Sequence, residues 1–185
     1  MGVNEYISYE QFGANFVRHA VTAERIAASI TDIAGESIDV GPTPAGPGGI
    51  ATATSTVRIG TVRVTPHPGD LVSFDAVLPI DLDLEVKLGP VVNTFRGLVE
   101  VPLRFTVNVA QPLTFAIEAA PVVGNDIKVD LRSTSFGADI LQQVGNIDAE
   151  VRGQVARMVN ERMSTEKEKA ARTIDVGALI DESWS

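Results

Sequence analysis

No cysteine occurs in the 185 residues, histidine occurs twice, and Phe, Trp and Tyr together make up only 5% of the chain. Without cysteine there is no disulfide framework, no thiolate nucleophile and no sulfur-based metal site. His19 and His67 lie far apart in sequence, and neither has a ligand-spaced neighbour, so a histidine metal centre is excluded as well. His19 falls in a helical pattern and reads as a helix-face residue, whereas His67 sits between Pro66 and Pro68 in a turn. Neither accompanies a Gly-x-Ser-x-Gly elbow or another nucleophile motif. The expectation is a protein that is not an enzyme and holds no cofactor or metal.

Long apolar runs are missing too, and nothing approaches the ~18 to 20 residues of a membrane-spanning helix. The opening MGVNEYISYEQFGANF has neither a basic start nor the roughly 7 to 15 apolar residues of a secretory signal. Tyr6 stands where myristoylation favours Ser or Thr. A soluble, cytoplasmic protein is the expectation. The net charge of −9 repels nucleic acid and anionic bilayers at long range, so nucleic acid is not an expected partner. The densest basic group, Arg152, Arg157, Arg162, Lys167, Lys169 and Arg172, is interleaved with Glu150, Glu161, Glu166 and Glu168. It reads as a solvated helix face or as a patch for a lipid headgroup or protein partner.

With 44% hydrophobic and 21% charged residues, the chain has the composition of a globular domain. A single domain over residues 1–185 is expected. It divides into N-terminal helices (1–37), an antiparallel sheet (38–132), and C-terminal helices with a closing segment (136–185).

The strongest signal is alternation. In VSFDAVLPIDLDLEVKL, residues 72–88, every even position from Val72 to Leu88 is apolar and most odd ones are polar. After a short turn the apolar residues move to odd positions, from Phe95 through Val99, Leu103 and Phe105 to Val109. Period 2 means strand. At ~3.3 Å per residue the first run extends about 55 Å, some three times a usual strand. Joined as a hairpin, the two share one apolar face only if paired residue numbers sum to an odd value. Pro79 and Pro102 fall mid-strand in the outward register, which suggests that each run is two shorter strands across a bend. Leu113 to Ala119 and Ile127 to Leu131 alternate likewise and extend the sheet as a meander.

Around this sheet lie helical patterns. Ser8 and Gln11 fit a capping box followed by Phe12, Phe16 and Ala20 at helical spacing. A second helix starts near Thr22, carries Ile26, Ile30 and Ile33, and stops at Gly35. Ile38 to Val40 form a short strand, GPTPAGPGG (41–49) is a loop, and 50–65 is one strand with a bulge at Gly60. A short helix at 136–144 precedes a longer one, from about 146 to 162, with Ile147, Val151, Val155, Met158 and Val159 along one stripe. Ile174, Val176, Leu179 and Ile180 close the chain, with Trp184 at the edge.

The order helices, long-stranded meander, helices is an α+β arrangement. We expect a long, strongly curved antiparallel sheet wrapped around a C-terminal helix. A helix of about 16 residues spans only about 24 Å and leaves part of the apolar sheet uncovered. The N-terminal helices either fill that space or leave an apolar groove open. Asp81, Asp83 and Glu85 share the opposite, outward face and read as solvated.

The paired long strands, the helix EVRGQVARMVNERM (Glu150 to Met163) and the closing TIDVGALID (Thr173 to Asp181) carry a resemblance across about residues 38–181. The chain resembles small actinobacterial proteins of unassigned function and, more remotely, the tubular lipid-binding (TULIP) superfamily. That resemblance implies a curved sheet around a long helix with acyl chains between them. The resulting expectation is non-enzymatic binding of a lipid or other hydrophobic small molecule. Phe74, Leu78, Leu82, Leu103, Phe105, Phe115, Val155 and Met158 are the candidate groove lining. Two alternatives stand beside it: a structural or partner-binding protein with a filled core, including a homo-oligomer, and an enzyme of the helix-grip type.

Overall fold

A computed structural model of the chain describes residues 6–31, 37–69, 71–134, 147–165, 169–170 and 172–183. The helix expected at 136–144, the stop at Gly35, and residues Ile33 and Trp184 lie outside them.

The chain opens with helix α1, Tyr9–Ala20. Its capping box is formed as expected: the Gln11 backbone N–H donates to Ser8 Oγ, and the Ser8 N–H to Gln11 Oε1, each at 3.1 Å. Helix α2, Ala23–Thr31, carries Glu24 in its first turn, favourable at the positive end of the helix dipole. The Arg25 N–H donates to Thr22 Oγ1 at 3.4 Å.

Eight strands form one antiparallel sheet: β1 Ser37–Ala45, β2 Ala51–Ile59, β3 Arg63–His67, β4 Ser73–Leu88, β5 Val91–Ala110, β6 Thr114–Ala119, β7 Lys128–Ser133 and β8 Thr173–Asp175. The path runs β1-β2-β4-β5-β6-β8, with β3 also on β4 and β7 also on β5. The sheet curls into a half-barrel. Between β8 and the end of the described chain runs helix α4, Val176–Ser183; helix α3, Ile147–Ser164, precedes β8.

The long hairpin has the register its alternation requires. Phe74 pairs with Phe105, Ala76 with Leu103 and Leu84 with Phe95. All even residues of β4 from Phe74 to Val86 are buried, as are the odd residues of β5 from Asn93 to Val107 other than Gly97. The core centres on mid-β5, where Val99 and Val101 are each 0% exposed.

The mid-strand prolines do not divide their strands, contrary to expectation: β4 is continuous over 16 residues and β5 over 20. What changes there is the neighbour. On the outer edge of β4, β3 pairs with residues 73–77 and β2 with residues 80–87. On β5, β7 pairs with residues 95–100 and β6 with residues 105–110. The Pro79 carbonyl accepts from the Gly60 N–H at 2.8 Å, so Pro79 faces the edge served by β2 and β3. An antiparallel residue turns its N and its carbonyl to the same neighbour. Pro79 therefore falls between the segments of β4 that pair with β3 and with β2, where the ladder on that edge passes from one short strand to the next and a missing donor costs least. Arg104 accepts from the Ala120 N–H, so even residues of β5 face β6 and β7, and Pro102 occupies the equivalent position.

The same observation corrects three further expectations. The C-terminal strands are not a simple meander, because β7 passes over β6 and returns to β5. Residues 50–65 form two strands instead of one bulged strand. The GPTPA stretch is no loop: it completes β1, an edge strand with a register shift between Val40 and Thr43. Proline is tolerated on an edge because its missing donor faces no partner. Gly41 has φ +112°, and a Cβ there would lie 2.6 Å from the Ala53 carbonyl oxygen.

Gly97 lies where β7 leaves no room for a side chain on β5. A Cβ at this position would lie 1.9 Å from the Asp130 carbonyl oxygen and 2.8 Å from Leu131 Cα. Both are backbone atoms of a paired strand and cannot rotate away. Gly97→Ala is expected to lower stability by about 3 kcal/mol, the upper part of the usual overpacking range, measured by urea denaturation. A midpoint unchanged from the parent would contradict this close approach.

Among the described residues no helix is long and apolar enough to cross a membrane.

Candidate hydrophobic binding site

Helix α3 lies over the concave face of the sheet and buries Val151, Val155 and Ala156. Its position is set by Asn160, which no pattern in the sequence singles out. The Asn160 Oδ1 accepts from the Val122 N–H at 2.8 Å, and its Nδ2 donates to the Val122 carbonyl at 2.9 Å. A side-chain amide that satisfies both backbone groups of one residue fixes the helix in register and in azimuth. The clamp draws α3 towards β7 and the 3-10 turn Gly124–Asp126, its main contacts in the fold. The wall made by β2 and β4 is left at a distance. Helix α2 packs on β3 and closes one end.

Between these elements lies a cavity of about 420 Å³, and a second of about 350 Å³ continues under the N-terminal half of α3 towards β1. Val57, Leu82, Val155 and Met158 line both, so the two follow one another along α3. Each volume lies in the ~300 to 1,000 Å³ range typical of small-molecule sites.

Six of the residues expected in a groove lining, Leu78, Leu82, Leu103, Phe105, Val155 and Met158, come together on the larger cavity. Phe74 and Phe115 do not. Both are buried, but Phe74 lies beyond the cavity beside Pro66 of β3, and the Phe115 ring packs on Phe16 of α1 with centroids 5.9 Å apart. Alternation assigns a face of the sheet but does not say how far along that face the empty space extends.

Whether the N-terminal helices fill the groove is decided by geometry. Ile26 and Ile30 of α2 form part of its wall, and α1 has no buried residue, with Phe12 60% exposed. The space remains open.

All described residues lining the larger cavity are apolar apart from Arg25, Arg162 and Arg172. The smaller one ends in polar groups, among them Thr43, Ser55, Glu150 and Gln154. The arginines were legible only as part of a general basic run, or, for Arg25, not at all.

Asp75 and Asp83 of β4 and the His67 imidazole lie on the other side of the sheet. Asp83 bridges Arg58 of β2 at 3.0 Å and Arg96 of β5 at 2.5 Å. Asp75 bridges Arg104 at 2.8 Å and His67 Nδ1 at 2.6 Å. Arg104 shares the carboxylate with the imidazole, so His67 is part of a cross-strand ion cluster on the convex face. Among the described residues no group of three or more acidic or histidine side chains is placed to hold a metal ion.

The hydrogen bond from Arg104 holds the Asp75 carboxyl below the usual carboxylate range, His67 acts in the same direction, and partial burial opposes them. A depressed folded value stabilises the protein above the unfolded value of about 3.9, and the contribution disappears as pH falls through the folded value. Asp75→Asn should therefore lower the melting temperature at pH 7, and the difference from the parent should shrink below about pH 4. The side chain is 41% exposed, so solvent screening limits the effect to about 1 kcal/mol or less. A difference that stayed constant down to pH 2.5 would show that the carboxylate charge is not what stabilises.

No protein-family model matches the chain, and no curated protein matches it.

Proposed function

We propose that the protein binds a slender hydrophobic ligand, such as a single-chain lipid, between the curled sheet and α3, without catalysing a reaction on it. The observation that carries this reading is the elongated cavity, walled almost throughout by aliphatic and aromatic side chains. An apolar space that solvent fills poorly gains about 25 cal/mol for each Å² of apolar ligand surface it removes from water. Its shape suits a chain better than a compact ring system, because the two parts lie in succession along α3 and share Leu82 and Met158 as walls. The TULIP resemblance supports the same arrangement, an acyl chain held between a curved sheet and a long helix.

The ion pairs of Asp75 and Asp83 lie on the convex face, away from the cavity, and the Glu150 carboxylate that lines the smaller part accepts from the Gln154 amide, which is neither an acid nor a base. That separation supports binding over a helix-grip enzyme, which needs its reactive groups inside the pocket.

Titration with fluorescent fatty acids of increasing length tests the proposal. Affinity should rise steadily with chain length. Absence of binding at every length would transfer the reading to a protein whose apolar surface serves a protein partner.

A further inference from the structure

Aromatic residues make up only 5% of the chain, yet Tyr6, Tyr9, Phe12 and Phe16 fall together at its start. None is buried: Tyr6 is 96% exposed, Tyr9 97%, Phe12 60% and Phe16 40%. Helical spacing puts Tyr9, Phe12 and Phe16 in one stripe along α1, and the Phe12 and Phe16 rings stack with centroids 6.3 Å apart. Val17 and Ala20 rest on the core beside the stripe, while Glu10, Gln11 and Arg18 take the far side in solvent. The fold uses only part of the apolar arc of this helix.

Local interactions stabilise α1. Its capping box is complete, and Arg18 and His19 stand in the last turn, where the helix dipole favours positive charge. Its place in the fold is nonetheless specific. The Phe16 ring packs on Phe115 of β6, and Ala20, with Val21 beyond it, lines the larger cavity. The exposed aromatic stripe thus leads to the wall of the groove.

We infer that α1 docks on a neutral lipid bilayer, lying in the plane of the headgroups with Tyr9, Phe12 and Phe16 towards the acyl chains and Arg18 towards water. An amphipathic helix with aromatic residues on its apolar side has the form of helices that lie in a membrane interface. Charge selects the kind of surface. Within residues 6–20 Glu10 and Arg18 balance, whereas the whole chain carries −9, so a zwitterionic surface admits the helix and an anionic one repels the rest of the molecule. Area selects a bilayer over a second copy of the chain. An aromatic side chain buries ~150 to 250 Å², so the part still exposed on the α1 stripe amounts to about 300 to 500 Å². Each partner of a stable dimer buries ~800 Å². The docking rests on this stripe alone and extends the groove reading by bringing the groove to a source of lipid.

The test is flotation of the full chain with phosphatidylcholine vesicles. The parent should float with them at low and high salt alike, and replacing about a third of the lipid by phosphatidylserine should weaken the association at low salt. In Tyr9→Ser/Phe12→Ser, two exposed changes checked by circular dichroism, vesicle affinity should fall at least about tenfold. Affinity for a fluorescent fatty acid should not change, since neither residue lines the cavity. A parent that stays unbound at every lipid concentration, or a double variant that floats equally well, would overturn the docking and leave the groove reading intact. Flotation of the parent without fatty acid binding would overturn the groove reading alone. A parent that sediments as a dimer, with the double variant a monomer, would assign the stripe to a second copy and overturn the proposal.

Discussion

Val155→Asp should lower the melting temperature by about 10 °C, the shift that roughly 3 kcal/mol produces in a protein of this size. Val155 is 7% exposed, lies midway along α3 and lines both parts of the groove. A carboxylate there is removed from water among aliphatic side chains, and a buried charge without a partner is among the few changes with so large an effect. Burial would raise the pKa of the introduced acid, so the penalty should ease as pH falls and the neutral form takes over. Arg157→Ala, an exposed change on the same helix, should stay within about 0.5 kcal/mol. Equal melting of Val155→Asp and the parent would mean that α3 does not dock through this face. Because α3 roofs the cavity, the same variant should also lose fluorescent fatty acid binding.

The second large effect is in ligand length. Each methylene moved from water into the groove contributes about 0.8 kcal/mol, or about fourfold in affinity, so chains that differ by several carbons should differ by orders of magnitude. Leu82 is the point to interrupt this series, since it is buried on β4 and lines the cavity on both sides of the junction. Leu82→Trp places a larger ring where the two parts meet. Short chains that occupy only the larger part should bind nearly as before. Longer chains should lose the increment that the smaller part supplies, so the plot of affinity against length flattens. A parallel plot for variant and parent would place the ligand elsewhere, and a flat plot for both would remove apolar burial as the source of affinity.

Strand identity, face and register were legible because each is a property of a few neighbouring residues. Alternation from Val72 to Leu88, followed by its phase change from Phe95 to Val109, required Phe74 and Phe105 to share a face, and they are paired. The Ser8 and Gln11 capping box is equally local, with both of its bonds formed between residues three apart. The stripe of Val151 and Val155 likewise marked the buried side of α3. The prolines were legible as anomalies but their meaning was not. A missing donor at Pro79 or Pro102 is consistent with a bend or with a change of neighbouring strand, and only the pairing of β4 and β5 with four short strands separates the two.

The site depended on tertiary structure for a related reason. Apolar periodicity states which side chains leave water, but an open cavity is the space left over after helices dock, and docking is decided by single contacts such as Asn160 on Val122. Local pattern alone specified an α+β chain with a long two-faced hairpin and a C-terminal helix that buries one stripe. Tertiary structure decided that α2 walls the groove instead of filling it, that Phe74 and Phe115 lie outside it, and that Arg25, Arg162 and Arg172 meet at its mouth. Arg25 shares no local pattern with the other two, and only the path of the chain brings it to them.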